Sequence, residues 1–248
     1  MKIIAFNGSP GGRKSITNIM VGEVLEGARQ AGAETENVFL VEKKINFCKA
    51  CYSCWHNELG KCAIDDDVQE LLEKLKNADV VIFATPLYFD NVSALLKMFI
   101  ERTIPIGSPY LGKDEHGESR HEDREGFCKC YERVPKIVML SNAGLPEQSH
   151  FQVVSLYARR VARSMHTELI AEIYRGQGGL LSLPVDQLRV VVDPYKALLR
   201  KCGMEITKNC KLTDDAVAQL NKPLVPIDIY IQEANKYTDK YWVGRTPR

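Results

Sequence analysis

Met1-Lys2-Ile3-Ile4-Ala5-Phe6-Asn7-Gly8-Ser9-Pro10-Gly11-Gly12-Arg13-Lys14-Ser15-Ile16-Thr17-Asn18 opens the chain, and its reading decides the fold. Lys2 to Asn7 is a short apolar run of the kind that forms a buried strand. Ser15 to Ala31 follows with Ile16, Ile19, Met20, Val24 and Ala28 at the three-to-four spacing of one helical face. Between them lies a turn rich in glycine, which lets several backbone amides point at one spot. The positive end of a helix dipole adds to that field. Ser9, Ser15 and Thr17 supply hydroxyls, Arg13 can fork onto phosphate oxygens, and Pro10 and Asn18 flank the set. The blander alternative is a Gly/Pro turn that only caps a helix. Arg13 and Lys14 stand where the Gly-Lys of a nucleotide-triphosphate loop belongs, and the dinucleotide Gly-x-Gly-x-x-Gly spacing is also missing. A monophosphate is the ligand that this turn predicts.

Outward from this unit, strand and helix patterns alternate. Strands are expected at Thr35 to Val41, Asp79 to Thr85, Lys136 to Ser141 and Glu168 to Tyr174. Helices are expected at Asp65 to Asn77, with three acids in its first turn, at Asn91 to Thr103 and at Gln148 to Met165. Five strands alternating with helices imply a doubly wound parallel sheet covered on both faces. The order 2-1-3-4-5 places a ligand where strands one and three meet. The predicted core unit spans residues 1–175, with a long polar insertion at 105–133 after the third helix, of which the mixed-charge stretch Lys113 to Arg124 reads as a solvated loop. Residues 176–248 read as a helical C-terminal extension (Leu188 to Cys202, Asp214 to Leu220, Ile227 to Tyr241) packing on that unit or on a partner subunit.

The turns after strands three and four are as unusual as the first. Thr85-Pro86-Leu87-Tyr88-Phe89-Asp90-Asn91 carries two adjacent aromatics where a solvated turn prefers small polar residues. Aromatics beside free amides suit a planar ring with an apolar face and a polar edge, although Tyr88 and Phe89 could equally be packing residues. Ser141-Asn142-Ala143-Gly144-Leu145-Pro146-Glu147 follows strand four. Three stretches now resemble one family, the NADPH-dependent FMN reductases and iron–sulfur flavoproteins of flavodoxin-like fold. Gly8-Ser9-Pro10 with Ser15 and Thr17-Asn18 is similar to the family's Gly-Ser-Pro-Arg…Asn-Thr loop, with Arg13 two places later than usual. Pro86-x-Tyr88 with Ser93-Ala94-Leu95-Leu96-Lys97-Met98-Phe99-Ile100-Glu101-Arg102 is the most specific match, and Ser141-x-x-Gly144-x-Pro146-Glu147 is similar to its third loop. The resemblance implies FMN held by Ser9, Pro10, Arg13, Ser15, Thr17, Asn18, Pro86, Leu87, Tyr88, Phe89, Asn91, Ser141, Asn142 and Gly144. It also implies a homodimer or homotetramer.

Cys48-x-x-Cys51-x-x-Cys54 followed by Cys62 gives C-x2-C-x2-C-x7-C. A cuboidal [4Fe–4S] cluster takes four thiolates, three of them often from one compact run, whereas zinc prefers two separated pairs. The spacing also resembles that of the iron–sulfur flavoproteins; packing cysteines or a redox-sensitive pair are the alternatives. His56 reads as a loop residue, and Cys128, Cys130, Cys202 and Cys210 as structural or incidental.

The remaining composition excludes more than it specifies. With 45% apolar and 26% charged residues, the 248-residue chain has the balance of an ordinary globular protein. A net charge of +1 gives no electrostatic footprint for nucleic acid or an anionic membrane. No stretch approaches the roughly 18 apolar residues of a membrane span, and the apolar N-terminal run is too short for a secretory signal. A cytoplasmic setting is therefore expected. The predicted activity is FMN-dependent electron transfer from NAD(P)H or a reduced carrier to a small acceptor such as a quinone or flavin. No protein acid or base is required, so no catalytic side chain is assigned. The rivals are a ferredoxin-linked electron carrier without its own substrate and a non-redox phosphate-binding module.

Overall fold

In this computed structural model, residues 1–122 and 134–241 are described. The elements in chain order are β1 (Lys2–Asn7), α1 (Ile16–Gln30), β2 (Glu34–Phe39), α2 (Ser53–His56), α3 (Val68–Lys76), β3 (Val80–Pro86) and α4 (Ala94–Glu101). They continue as β4 (Leu111–Lys113), β5 (Ser119–His121), β6 (Lys136–Asn142), α5 (Gln152–Ser164), β7 (Leu169–Arg175), α6 (Arg189–Asn209), α7 (Asp214–Leu220) and α8 (Ile227–Tyr241). Five strands form one parallel sheet in the order β2-β1-β3-β6-β7. This is the expected 2-1-3-4-5 pattern of the flavodoxin-like fold, with β6 and β7 as its fourth and fifth strands.

Alternate residues of each strand serve opposite faces. Ile3, Ala5, Ile82, Val138 and Leu140 pack under α1 and α6, while Ile4, Phe6, Val81, Phe83 and Met139 pack under α3, α4 and α5. Helix α6 belongs to the first of these cores, supplying Val192, Leu199, Cys202 and Ile206. It crosses α1 at near backbone contact: a Cβ on Gly27 would stand 1.8 Å from the Arg200 carbonyl oxygen, and one on Gly203 would stand 1.9 Å from that of Val24. The tail beyond α6 is clamped by the end of β7. Buried Arg175 donates to the carbonyls of Lys222, at 2.8 Å, and Leu220. Gln177 Oε1 accepts from the Leu224 amide at 2.8 Å, and its Nε2 donates to the Val225 carbonyl at 2.9 Å.

Three expectations need correcting. The helix expected from Asp65 begins at Val68, because Asp66 and Asp67 serve the preceding loop: they accept from the amides of Asn46 (2.9 Å) and Lys44 (2.8 Å). Helix α6 runs to Asn209, past the expected stop at Cys202, and Gly203, the next residue, sits where the two helices touch. Part of the insertion read as a solvated loop is an antiparallel hairpin, β4 with β5. Asp114 organises it by accepting from the amides of His116 (2.9 Å) and Glu118 (3.0 Å) and from Arg120 Nε (2.7 Å), and by pairing with Arg163 of α5. Asp114→Ala is expected to release the hairpin from α5, which limited proteolysis would read as faster cleavage within residues 105–122 with the sheet intact. Cys128 and Cys130 lie outside the described residues. Among the described residues, no helix is long and apolar enough to cross a membrane.

Candidate functional site

The three unusual turns meet at the C-terminal edge of the sheet because β1, β3 and β6 are neighbours there. They are also bonded to one another. The Gly8 amide donates to the Ala84 carbonyl at 2.8 Å, and Ser93 Oγ donates to the Gly8 carbonyl at 2.6 Å. The Leu87 amide donates to the Asn142 carbonyl at 2.7 Å. Asn142 Nδ2 reaches back to Thr17 Oγ1 at 2.7 Å, joining the fourth sheet strand to α1.

In the first turn, Gly12 has φ +52°, a conformation that L side chains rarely adopt. Ser15 caps α1: its Oγ accepts from the Asn18 amide at 3.0 Å and donates to the Gly12 carbonyl at 2.7 Å. The Ile16 and Thr17 amides, first in the helix, have no acceptor within it and are not served by this cap. They lie at the helix end where the sequence reading expects an anion, and Ser9 of the same turn is buried. Arg13 lies elsewhere: its guanidinium covers the Phe39 ring and pairs with Glu42 through two bonds of 2.9 and 3.0 Å. Asn18 acts as a brace, bonding the Arg13 carbonyl at 2.8 Å and Asn37 Nδ2 at 2.9 Å. Pro10 is exposed.

The second turn is a tight reversal in which Tyr88 and Asn91 exchange backbone bonds of 2.9 and 3.0 Å. Its central residues, Phe89 (φ +48°) and Asp90 (φ +55°), are left-handed, as this mirror-image turn requires. The Phe89 side chain is fully exposed and Tyr88 half exposed, so neither is a core residue. A left-handed phenylalanine held in solvent is the kind of strain that collects at binding sites.

Two buried polar atoms at the same strand ends, Asn7 Nδ2 and Ser141 Oγ, have no hydrogen-bond partner among the described residues. Gly144 is open on its α-carbon side, and its carbonyl accepts from Tyr230 Oη of α8 at 2.5 Å. His150, which the sequence reading passed over, bridges the second and third turns: Nδ1 lies 3.4 Å from Asp90 and Nε2 lies 3.3 Å from Glu147. No spacing rule marks such a histidine, since its partners come from two separate turns. The crevice thus offers free helix-end amides, unpaired buried polar atoms and an exposed aromatic turn, which together suit a phosphorylated planar ring.

Cys48, Cys51, Cys54 and Cys62 converge on one small pocket, shared with Arg102 and Pro105. Left-handed Ala50 and Tyr52 coil the loop around Cys51. Trp55 anchors the loop by stacking on Tyr52 and donating to the Gly107 carbonyl at 2.8 Å. All the described cysteines are free thiols. Burial, and then the nearby sulfurs of Cys62, Cys51 and Cys48, push the Cys54 thiol up from its ordinary value. Among the described residues, no group of three or more His, Cys, Asp or Glu side chains stands ready to hold a metal ion. Cys202 is a buried core residue, and burial raises its thiol to about 12.

Residues 1–116 match the NADPH-dependent FMN reductase family. An iron–sulfur flavoprotein of Methanocaldococcus jannaschii is 43% identical over 106 residues, covering 43% of this chain and 53% of that protein. One from Archaeoglobus fulgidus is 32% identical over 165 residues, covering 66% and 63%. The chain spans about half the length of most of the curated relatives it matches. Among solved structures, an NAD(P)H:quinone oxidoreductase from Methanothermobacter marburgensis superposes with TM-score 0.58 at 18% identity, over 83% of this chain and 96% of that one. An FMN-dependent NADH-azoreductase from Bacillus anthracis, in complex with FMN, gives 0.59 at 13% identity, over 84% and 99%. At these identities the likeness speaks for the fold.

Proposed function

We propose, from the match of residues 1–116 to the NADPH-dependent FMN reductase family, that this chain is an FMN-dependent oxidoreductase of that family. In this reading it takes electrons from NAD(P)H or a reduced carrier and passes them to a small acceptor such as a quinone or a flavin. The observation that carries the reading is the bonded meeting of three turns: Gly8 with Ser93, Leu87 with Asn142, and Asn142 with Thr17. FMN supplies the redox chemistry when bound. The Ile16 and Thr17 amides, with Ser9 and Ser15, would hold its phosphate, and Tyr88, Phe89, Asn142 and Gly144 would hold its ring. His150 fixes the spacing of the two ring-side turns through Asp90 and Glu147.

Flavin fluorescence titration tests this. The protein should quench FMN at one site per chain, and Thr17→Val should weaken binding about tenfold or more, equivalent to about 1.4 kcal/mol. Arg13→Ala should have a smaller effect, because its guanidinium is already committed to Glu42. Steady NAD(P)H oxidation with a quinone acceptor supports the enzyme. A protein that ignores added FMN is a phosphate-binding module of another kind.

A second reading rests on the cysteine pocket. Four thiols around one pocket fit the donor set of a [4Fe–4S] cluster, which would be held by Cys48, Cys51, Cys54 and Cys62. The chain would then relay electrons between this cluster and FMN, with a ferredoxin-like donor. Reduction by ferredoxin but not by NAD(P)H supports that carrier, and a single Cys→Ser change at any of the four should remove most of the iron. Assembly as a homodimer or homotetramer belongs to both readings; exposed Val153 and Leu156 on α5 are consistent with it, and light scattering measures it.

A further inference from the structure

The cysteine pocket has a buried cation in its wall. Arg102, the residue after α4, is 1% exposed, and the Asp66 side chain paired with it is fully buried. Arg102 Nη1 donates to Asp66 Oδ2 at 2.8 Å and to the Asn46 carbonyl at 2.6 Å. Nη2 donates to Asp66 Oδ1 at 3.0 Å and to Cys62 Sγ at 3.4 Å. Nε has no partner among the described residues. A structural ion pair would need only the carboxylate. Here the fork also grips the chain two residues before Cys48 and the sulfur of the last cysteine, so one side chain ties both ends of the loop together.

We propose that Arg102 is the positioning residue of the cysteine pocket, orienting Cys62 and raising the reduction potential of the iron–sulfur cluster held there, with Asp66 as the opposing charge that limits the rise. This rests on the cluster reading given above. Cluster potentials follow the net charge of the site, hydrogen bonds to sulfur and solvent exposure. Reduction adds a negative charge, so an N–H donor on a ligand sulfur and a desolvated guanidinium both favour the reduced form. Asp66 works in the other direction. The pair therefore predicts opposite shifts from its two halves, a pattern that a purely structural brace does not produce.

The test uses the full chain, purified anaerobically, with iron and sulfide assays followed by a redox titration read by electron paramagnetic resonance. Arg102→Met is expected to lower the reduced-to-oxidised ratio at fixed potential about tenfold, which is about 59 mV for one electron. Asp66→Asn is expected to raise it, and Arg102→Lys, which keeps the charge without the fork, should recover part of the loss. If Arg102→Met does not fold, the double variant with Asp66→Asn leaves neither charge buried alone, and it should titrate below Asp66→Asn. Titration of Arg102→Met with the wild type, equal curves for the double variant and Asp66→Asn, or shifts of the same sign for Arg102 and Asp66 would overturn the assignment while leaving the cluster in place. Wild-type protein without iron and sulfide would overturn the cluster reading and this assignment with it.

Discussion

Gly27→Ala and Gly203→Ala are each expected to destabilise the protein by about 1–3 kcal/mol or more, although the same change elsewhere in α1 should do the reverse. The added methyl at Gly27 would lie 1.8 Å from the Arg200 carbonyl oxygen, and at Gly203 it would lie 1.9 Å from that of Val24. Neither obstacle is a flexible side chain, so α6 must lift from α1 and open the core formed by Val24, Ala28, Leu199 and Ile206. Gly22 is the internal control: it lies in α1, is exposed, and a Cβ there meets nothing within 4 Å. Gly22→Ala should stabilise by about 0.5–1 kcal/mol, through reduced backbone entropy in the unfolded chain. In a chain of this size each kcal/mol moves Tm by roughly 2–4 °C, so thermal melts of the three variants should separate clearly in sign. A Gly27→Ala protein that melts with the wild type would mean that the helices do not cross this closely.

The second large effect is at Asp66. Burial alone would raise its carboxyl, but the Arg102 pair, the amides of Asn46 and Val68 and the Asn46 side chain outweigh burial and hold it down at about 2. Its ordinary value is 3.8. A carboxyl depressed on folding contributes stability that is fully present above the unfolded value and is lost as pH falls through the folded one. The wild type should therefore lose this contribution between about pH 4 and pH 2. Asp66→Asn leaves Arg102 buried without its counter-charge, which costs about 3–5 kcal/mol near neutral pH. The gap between wild type and variant should close over the same acid range, in melts taken from pH 6 down to pH 2. A constant gap would mean that Asp66 is not ionised against Arg102 in the folded protein.

The parallel sheet was legible because its strands are continuous apolar runs separated by amphipathic helices, and both patterns are local. The three turns at its edge were legible for the same reason: each is chemically odd where strand order predicts a ligand. What escaped depends on partners distant in sequence. Asp66 and Asp67 look like first-turn helix acids until the loop at Lys44 to Asn46 is placed beside them. The helix expected to stop at Cys202 continues because Gly203 lets it pass close across α1. Arg13 looks like a phosphate fork, but Glu42, three residues past β2, stands within its reach. The β4–β5 hairpin is held by the ion pairs of Asp114 with Arg120 of β5 and Arg163 of α5 rather than by alternating apolar residues, so no strand period announces it. Arg102 appeared in the sequence only as part of a resemblance; its role rests on contacts 36 to 56 residues away.

The α1–α6 crossing also has a consequence during synthesis. The groove on α1 around Gly27 is complete within the first thirty or so residues, yet the helix that fills it carries its matching glycine at position 203. At about 5–20 residues per second, a ribosome needs roughly ten to thirty seconds to deliver that partner. Through that interval the nascent chain carries Met20, Val24 and Ala28 uncovered beside a half-built sheet, an apolar surface that is buried only when α6 docks.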